Sequence, residues 1–371
     1  MKQLFFSMTA LVLLAFTSCS QNEDSKDLSS QPGKPAQLQV QISGDINSKA
    51  AGAPVSSDES KIGKGIILVF RGTGNNPVLD GRKTFDFNSG SATPVTVNIT
   101  AGASRHVYVV ANIADTADFN GVTKVSDLYN LTNKYQLTAM RTGTNLGMSG
   151  MVENVNASTA TTSSPATITV PLKFIGSRVH IDWDLSQLPS NMSGFTVTGA
   201  YLLNVKSLSD YFSAPGTYLT INVNSYLRGK SDISTFTGSY LPLTPATNAY
   251  DAQLMIGNLA TDKGFANNYF YVLENNSTSP IIVALEGQHN GTTYYYPIVI
   301  NGDQNGSGTG GTTNPGDKSS VVARGNIYNV KGIIKGFGNS DPYAPLTKGA
   351  INVTITPATW NPVIQIDQEF N

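Results

Sequence analysis

The chain reads as a succession of short strand patterns. Ala36-Gln37-Leu38-Gln39-Val40-Gln41-Ile42-Ser43 alternates apolar and polar residues, the mark of a strand with one buried face. Residues 44–64 follow without any period, rich in Gly, Ala and Ser. Ile66 to Phe70 is a continuous apolar run, which predicts a central strand. Further strands are predicted at 95–99, 105–112 and 167–172, and one short helix at 123–131. A second series begins with Ser177 to Trp183 and continues at 196–205, 218–223, 268–273, 281–285 and 294–300. Asn301 to Lys318 is a long Gly/Asn/Thr loop. After it come 325–334, 350–355 and a terminal run, 363–370. Strand runs parted by turn residues, with almost no helical period, predict an all-β chain of two β-sandwiches. The expected division falls near residue 173, giving sandwiches over 36–172 and 173–371.

The first residues follow a different pattern. Lys2 and the apolar run Leu4 to Phe16 form a signal-peptide pattern over 1–18, too short to span a bilayer. It ends at Thr17-Ser18-Cys19, and Cys19 is the only cysteine, so no intrachain disulfide is available. Its place resembles the lipobox of bacterial lipoproteins, in which the cysteine thiol carries the lipid; an ordinary signal peptide with a chance cysteine is the alternative. Glu23 and Asp24 resemble the acidic export signal of Bacteroidetes surface lipoproteins. Residues 19–35 then read as a flexible tether. Without the signal peptide roughly 350 residues remain, enough for two ordinary domains.

Net charge is −1 and only 13% of residues are charged, so nothing steers the chain toward nucleic acid. The three histidines, His106, His180 and His289, stand in no metal-binding spacing. Asp182 and Asp184 flank Trp183 on what reads as the solvated face of a strand. Asp303 and Asn305 lack the bidentate acid of a calcium loop, and there is no Gly-x-Ser-x-Gly elbow. The expectation is no cofactor, no metal and no enzyme.

Several strings in order along the chain resemble the fimbrillin family, the subunits of type V pili in Bacteroidia. They are the lipobox at Cys19, strand 36–43 with a basic residue soon after it, and Ile66-Ile67-Leu68-Val69-Phe70. Val107-Tyr108-Val109-Val110-Ala111-Asn112 and Gly147-Met148-Ser149-Gly150 follow. Arg324-Gly325-Asn326-Ile327-Tyr328-Asn329-Val330, Gly336-Phe337-Gly338 and Trp360 complete the series. Gly325 departs from the pattern, which has Arg followed directly by Asn, and Lys49 stands where the family has Arg. The resemblance implies two transthyretin-like sandwiches and a lipid-anchored precursor at the outer membrane, surface-exposed. It implies that a trypsin-like or gingipain-like protease cuts between Lys49 and Ala50, removing the first strand and its loop, 36–49. The terminal strand of the next subunit, with Ile364, Ile366 and Phe370 on one face, then fills the groove. Its partners would be copies of itself and other fimbrial subunits, and its final place the fimbrium. The alternatives are an anchor or tip subunit, and a monomeric glycan-binding surface lipoprotein using Tyr294-Tyr295-Tyr296.

Overall fold

The computed structural model describes residues 33–44, 59, 61–74, 76–89, 93–213, 226–231, 249–257, 259, 268–275, 280–302, 320–342 and 350–360. Its first half contains β1 (Pro35–Gly44), β2 (Lys64–Arg71), β3 (Val78–Asp86), β4 (Val95–Thr100) and β5 (Gly102–Ala111). A five-residue helix, α1 (Val125–Tyr129), comes next, then β6 (Tyr135–Gln136), β7 (Met148–Ala157) and β8 (Ala166–Phe174). The sheet order is β3-β2-β5-β7-β8-β1-β4. β7 and β8 pair only at Met148–Phe174 and Ser149–Lys173, so the sheet folds over at that seam. Its two ends then meet. Asp80 on β3 accepts from the Thr100 backbone N–H at 3.0 Å and the Thr100 hydroxyl at 2.7 Å. Gly81 comes so close that an added Cβ would stand 2.2 Å from the Asn98 carbonyl oxygen. The result is two facing layers, with β2 buried along Ile66 to Phe70, as its uninterrupted apolar run requires.

The second half opens with β9 (Gly176–Asp184), β10 (Thr196–Leu203), β11 (Val205–Lys206) and β12 (Leu208–Ser209). β13 (Tyr226–Arg228), β14 (Ala249–Tyr250), β15 (Met255–Gly257) and β16 (Tyr269–Leu273) follow. The last four are β17 (Ile282–His289), β18 (Thr292–Val299), β19 (Asn326–Ile334) and β20 (Ile351–Thr359). One sheet runs β16-β9-β19-β20, the other β15-β10-β17-β18. They face each other at Gly332 of β19, whose missing side chain leaves room for Leu285 and Ile298. The fold is all-β, two sandwiches in tandem.

The sandwiches share one continuous core. β12 pairs with β6 through Leu208–Gln136 and Ser209–Tyr135. Tyr108 meets Phe212 edge-on at 5.1 Å, and Phe119 packs on Tyr211 at 5.3 Å. Two strands, β3 and β7, show neither the alternation of β1 nor the apolar run of β2. β3 is an edge strand and most of β7 is only half-buried, so both carry polar residues on both faces. The expected helix at 123–131 is shorter than its pattern. The runs 218–223 and 363–370, and all but the first two residues of loop 301–318, lie outside the described residues.

Candidate assembly site

β1 lies inside a sheet, not at its edge. It runs antiparallel to β4, from Pro35–Thr100 to Val40–Val95, and parallel to β8, from Leu38–Ala166 to Gly44–Leu172. Ala36, Leu38, Val40 and Ile42 point into the core and are buried. Burying the three larger side chains stabilises the fold by about 5–9 kcal/mol, at about 1.5–3 each. The outer face carries only an amide and hydroxyl ladder. Gln37 donates to Asn98 at 3.1 Å, and Thr167 and Thr169 donate to Gln39 and Gln41 at 3.3 and 3.5 Å. β1 contains no charged side chain, so no side-chain ion pair can hold it. Main-chain ladders and one apolar face are interactions that any strand of similar pattern reproduces.

The connection from β1 returns to described residues at Glu59, which is buried and bonded to both sandwiches. Its carbonyl accepts from Leu146 N–H at 3.0 Å, in the first. Its carboxylate takes Arg178 Nη1 of β9 at 3.0 and 3.2 Å and the Tyr271 hydroxyl of β16 at 2.5 Å, in the second. The Glu59 and Arg178 side chains are 3% and 4% exposed, dry enough for the pair to be costly to break. Burial, with Glu59 beside it, pushes the Tyr271 hydroxyl far above its ordinary range. The Arg178 guanidinium also lies over Trp360 at 5.0 Å and Tyr269 at 5.4 Å. Trp360 stacks on Phe174 at 4.1 Å, and its backbone N–H donates to the Gly325 carbonyl.

Asn112 fastens the next residues. Its Nδ2 donates to the Lys61 and Leu146 carbonyls at 2.8 and 3.0 Å, and its Oδ1 accepts from Gly63 N–H at 2.9 Å. Its φ of +58° is a left-handed conformation that asparagine tolerates. Ile62 is buried, the Gly63 carbonyl accepts from Phe87 N–H, and Lys64 Nζ donates to the Ala114 carbonyl at 2.8 Å. Arg178, a cation near the start of a predicted strand, is the one sequence signal of this arrangement. Glu59 carries none.

A second buried charge group lies where β16, residues 209–213 and residue 324 meet. Arg324 bonds both Glu274 oxygens, the carbonyls of Asp210 and Tyr211, and the Ser213 hydroxyl. Burial raises the Glu274 carboxyl, but Arg324 and the Ser213 and Ser209 hydroxyls outweigh it and hold the carboxyl below its usual range. Gly325 has a φ of +70°, a conformation glycine adopts without strain, which gives its departure from the expected pattern a backbone reason.

The other residues weighed for chemistry are scattered. His106 bonds the Gly72 carbonyl at 2.9 Å, His180 is buried and stacks on Tyr269, and His289 bonds the Ser193 carbonyl at 3.1 Å. Asp184 caps Ser186 N–H, while Asp182 stands 3.9 Å from Lys331. Among the described residues no three His, Cys, Asp or Glu side chains stand where they would hold a metal ion. The three tyrosines do not make one patch: Tyr296 is core, and Tyr294 packs on the exposed Phe337 at 4.9 Å. Cys19, Lys49, Ala50, Ile364, Ile366 and Phe370 lie outside the described residues, as do Asp303 and Asn305.

Residues 36–182 match the family model described as major fimbrial subunit protein (FimA). Residues 220–360 match that of the FimA-like major fimbrial subunit protein, C-terminal domain. The chain belongs to the fimbrillin family. The major fimbrium subunit FimA type-4 of Porphyromonas gingivalis strain W83 is 26% identical over 411 residues, covering 97% of this chain and 98% of that protein. A fimbrilin crystal structure from the same species superposes with a TM-score of 0.63 at 20% identity, over 90% of this chain and 99% of that one. A Bacteroides eggerthii protein ascribed to cell adhesion gives 0.62 at 22%, over 90% and 98%. These two structures share the fold. As a fimbrillin, the chain is a fimbrial subunit of the FimA type, placed in a surface fimbria with other subunits.

Proposed function

We propose that this fimbrillin is a stalk subunit that polymerises by exchanging its first strand. It is made as a precursor lipidated at Cys19 and held at the outer membrane. A trypsin-like protease cuts between Lys49 and Ala50, β1 leaves, and the run Val363 to Phe370 of the next subunit takes its seat, with Ile364, Ile366 and Phe370 facing inward. The surface rod so built supports adhesion.

The observation that carries this reading is the position of β1. It is an internal, uncharged strand, buried along one face, whose loss leaves a ten-residue slot between β4 and β8. An open slot of this kind exposes ladder groups and apolar side chains together, which strongly favours capture of another strand. The alternating terminal run fits that chemistry. Lys49 supports the cut site, being the one basic residue between Gly44 and Glu59.

The test is electron microscopy after limited tryptic cleavage of the purified chain. Filaments are expected from the full chain, and folded monomers alone from a chain lacking Val363 to Asn371. Filaments from the truncated chain, or none from the intact one, would sink the proposal.

A further inference from the structure

Three lysines follow β1 before the buried part of β2: Lys49, Lys61 and Lys64. All three satisfy a trypsin-like protease by residue type, so residue type alone does not choose among them. A protease needs its substrate extended and free of neighbours over several residues. Residues 61–64 do not meet that need. The Lys61 carbonyl is bound to Asn112, Ile62 is buried, and Gly63 uses both its N–H and its C=O. The Lys64 carbonyl accepts from Asn112 N–H at 2.7 Å, and its ammonium donates to Ala114. Glu59 stands immediately upstream, fixed to the second sandwich by Arg178 and Tyr271 and to the first by Leu146.

We propose that Glu59 is the anchor that ends the processable part of this connection and thereby decides which lysine is cut. The proposal rests on the reading that a protease removes β1, and it assigns Glu59 a positioning role, not contact with the scissile bond at Lys49. Asn112 fixes Lys61 at its carbonyl, and Glu59 fixes the chain two residues before it. With Glu59 clamped, Lys61 is held on both sides and reaches a protease only when the ion pair opens. The same clamp keeps Glu59 itself bonded to both sandwiches once β1 has gone.

Limited trypsin digestion of the full chain, followed by identification of new N-termini over time, tests this directly. The native protein is expected to start at Ala50 early, with Ile62 and Gly65 termini appearing only at late times. Cleavage of a transiently opened segment follows its open population, so Glu59→Ala should speed the Ile62 terminus by on the order of 100-fold. Glu59 lies two residues before Lys61 and could itself affect the protease, so Arg178→Met is the control. It removes the partner without changing the sequence near any of the three lysines, and the same acceleration is expected. Tyr271→Phe, which keeps the ion pair, should give a smaller rise.

Native protein cut as fast at Lys61 as at Lys49 would overturn the proposal. So would Lys61 rates unmoved by both Glu59→Ala and Arg178→Met. A variant that has unfolded is also cut inside β8 at Lys173; Tyr271→Phe then decides, and an unchanged Lys61 rate there refutes the anchor. Absence of any Ala50 terminus from native protein would count against processing at Lys49, while the Lys61 comparison still judges Glu59.

Discussion

Arg324 reaches two side chains and two carbonyls at once, and Glu274 is the only charged group among those partners. Replacing Glu274 by Gln leaves the guanidinium uncompensated in a site where its own side chain is 18% exposed. Breaking such a pair costs about 3–5 kcal/mol at pH 7. The acid dependence has a definite sign. The Glu274 carboxyl is depressed in the native state, so its stabilisation is fully present above the unfolded value, about 4.3, and is lost as pH falls through the lower native value. Urea midpoints of native protein and Glu274→Gln should therefore differ at pH 7 and converge toward pH 3. A gap that stays constant over that range would show that the ionised pair contributes nothing.

Among the elements, β1 is the one whose contribution should depend on processing. Leu38 is fully buried in the uncut chain, so Leu38→Ala should destabilise it by about 2–5 kcal/mol. After cleavage and departure of β1 the same substitution should leave urea unfolding of the mature subunit unchanged. A mature form that still registers the substitution would mean that β1 stays in place. This strand was legible in the sequence because one face is buried and the other is wet, which imposes the period of two. β2 was legible because both of its faces are covered. β3 and β7 were not, since strands half-solvated on both faces accept almost any polar residue. Side-chain clusters were the least legible: Glu59 and Arg178 lie 119 residues apart, and no local pattern links them. The last described strand ran further than its alternation, to Thr359 through Pro357. β20 is an edge strand, where proline's missing N–H costs no ladder bond on the open side.

At the scale of the molecule, the shared core and the Lys134–Asp210 ion pair fasten the two sandwiches, so load on one is passed to the other. The chain ahead of β1 has a separate task in the proposed precursor, holding the protein at the membrane until it is cut. Cys19→Ser should abolish incorporation of a fatty-acid analogue and leave uncleaved or mislocalised precursor. Normal membrane attachment of that variant would refute lipidation there. The pairing of β1 has one more consequence. β1 runs against β4 and with β8, so a strand that repeats its main-chain pairings in that slot runs in the same sense. If each copy fills the slot of the one before it, every copy must point the same way, and the row ends differently at its two extremities. One end offers an unfilled slot, the other an unplaced strand. Head-to-tail contacts of this kind build an open row wherever their rotation does not close a ring. Its length is then set from outside, by a terminal unit of different construction or by the supply of cut subunits.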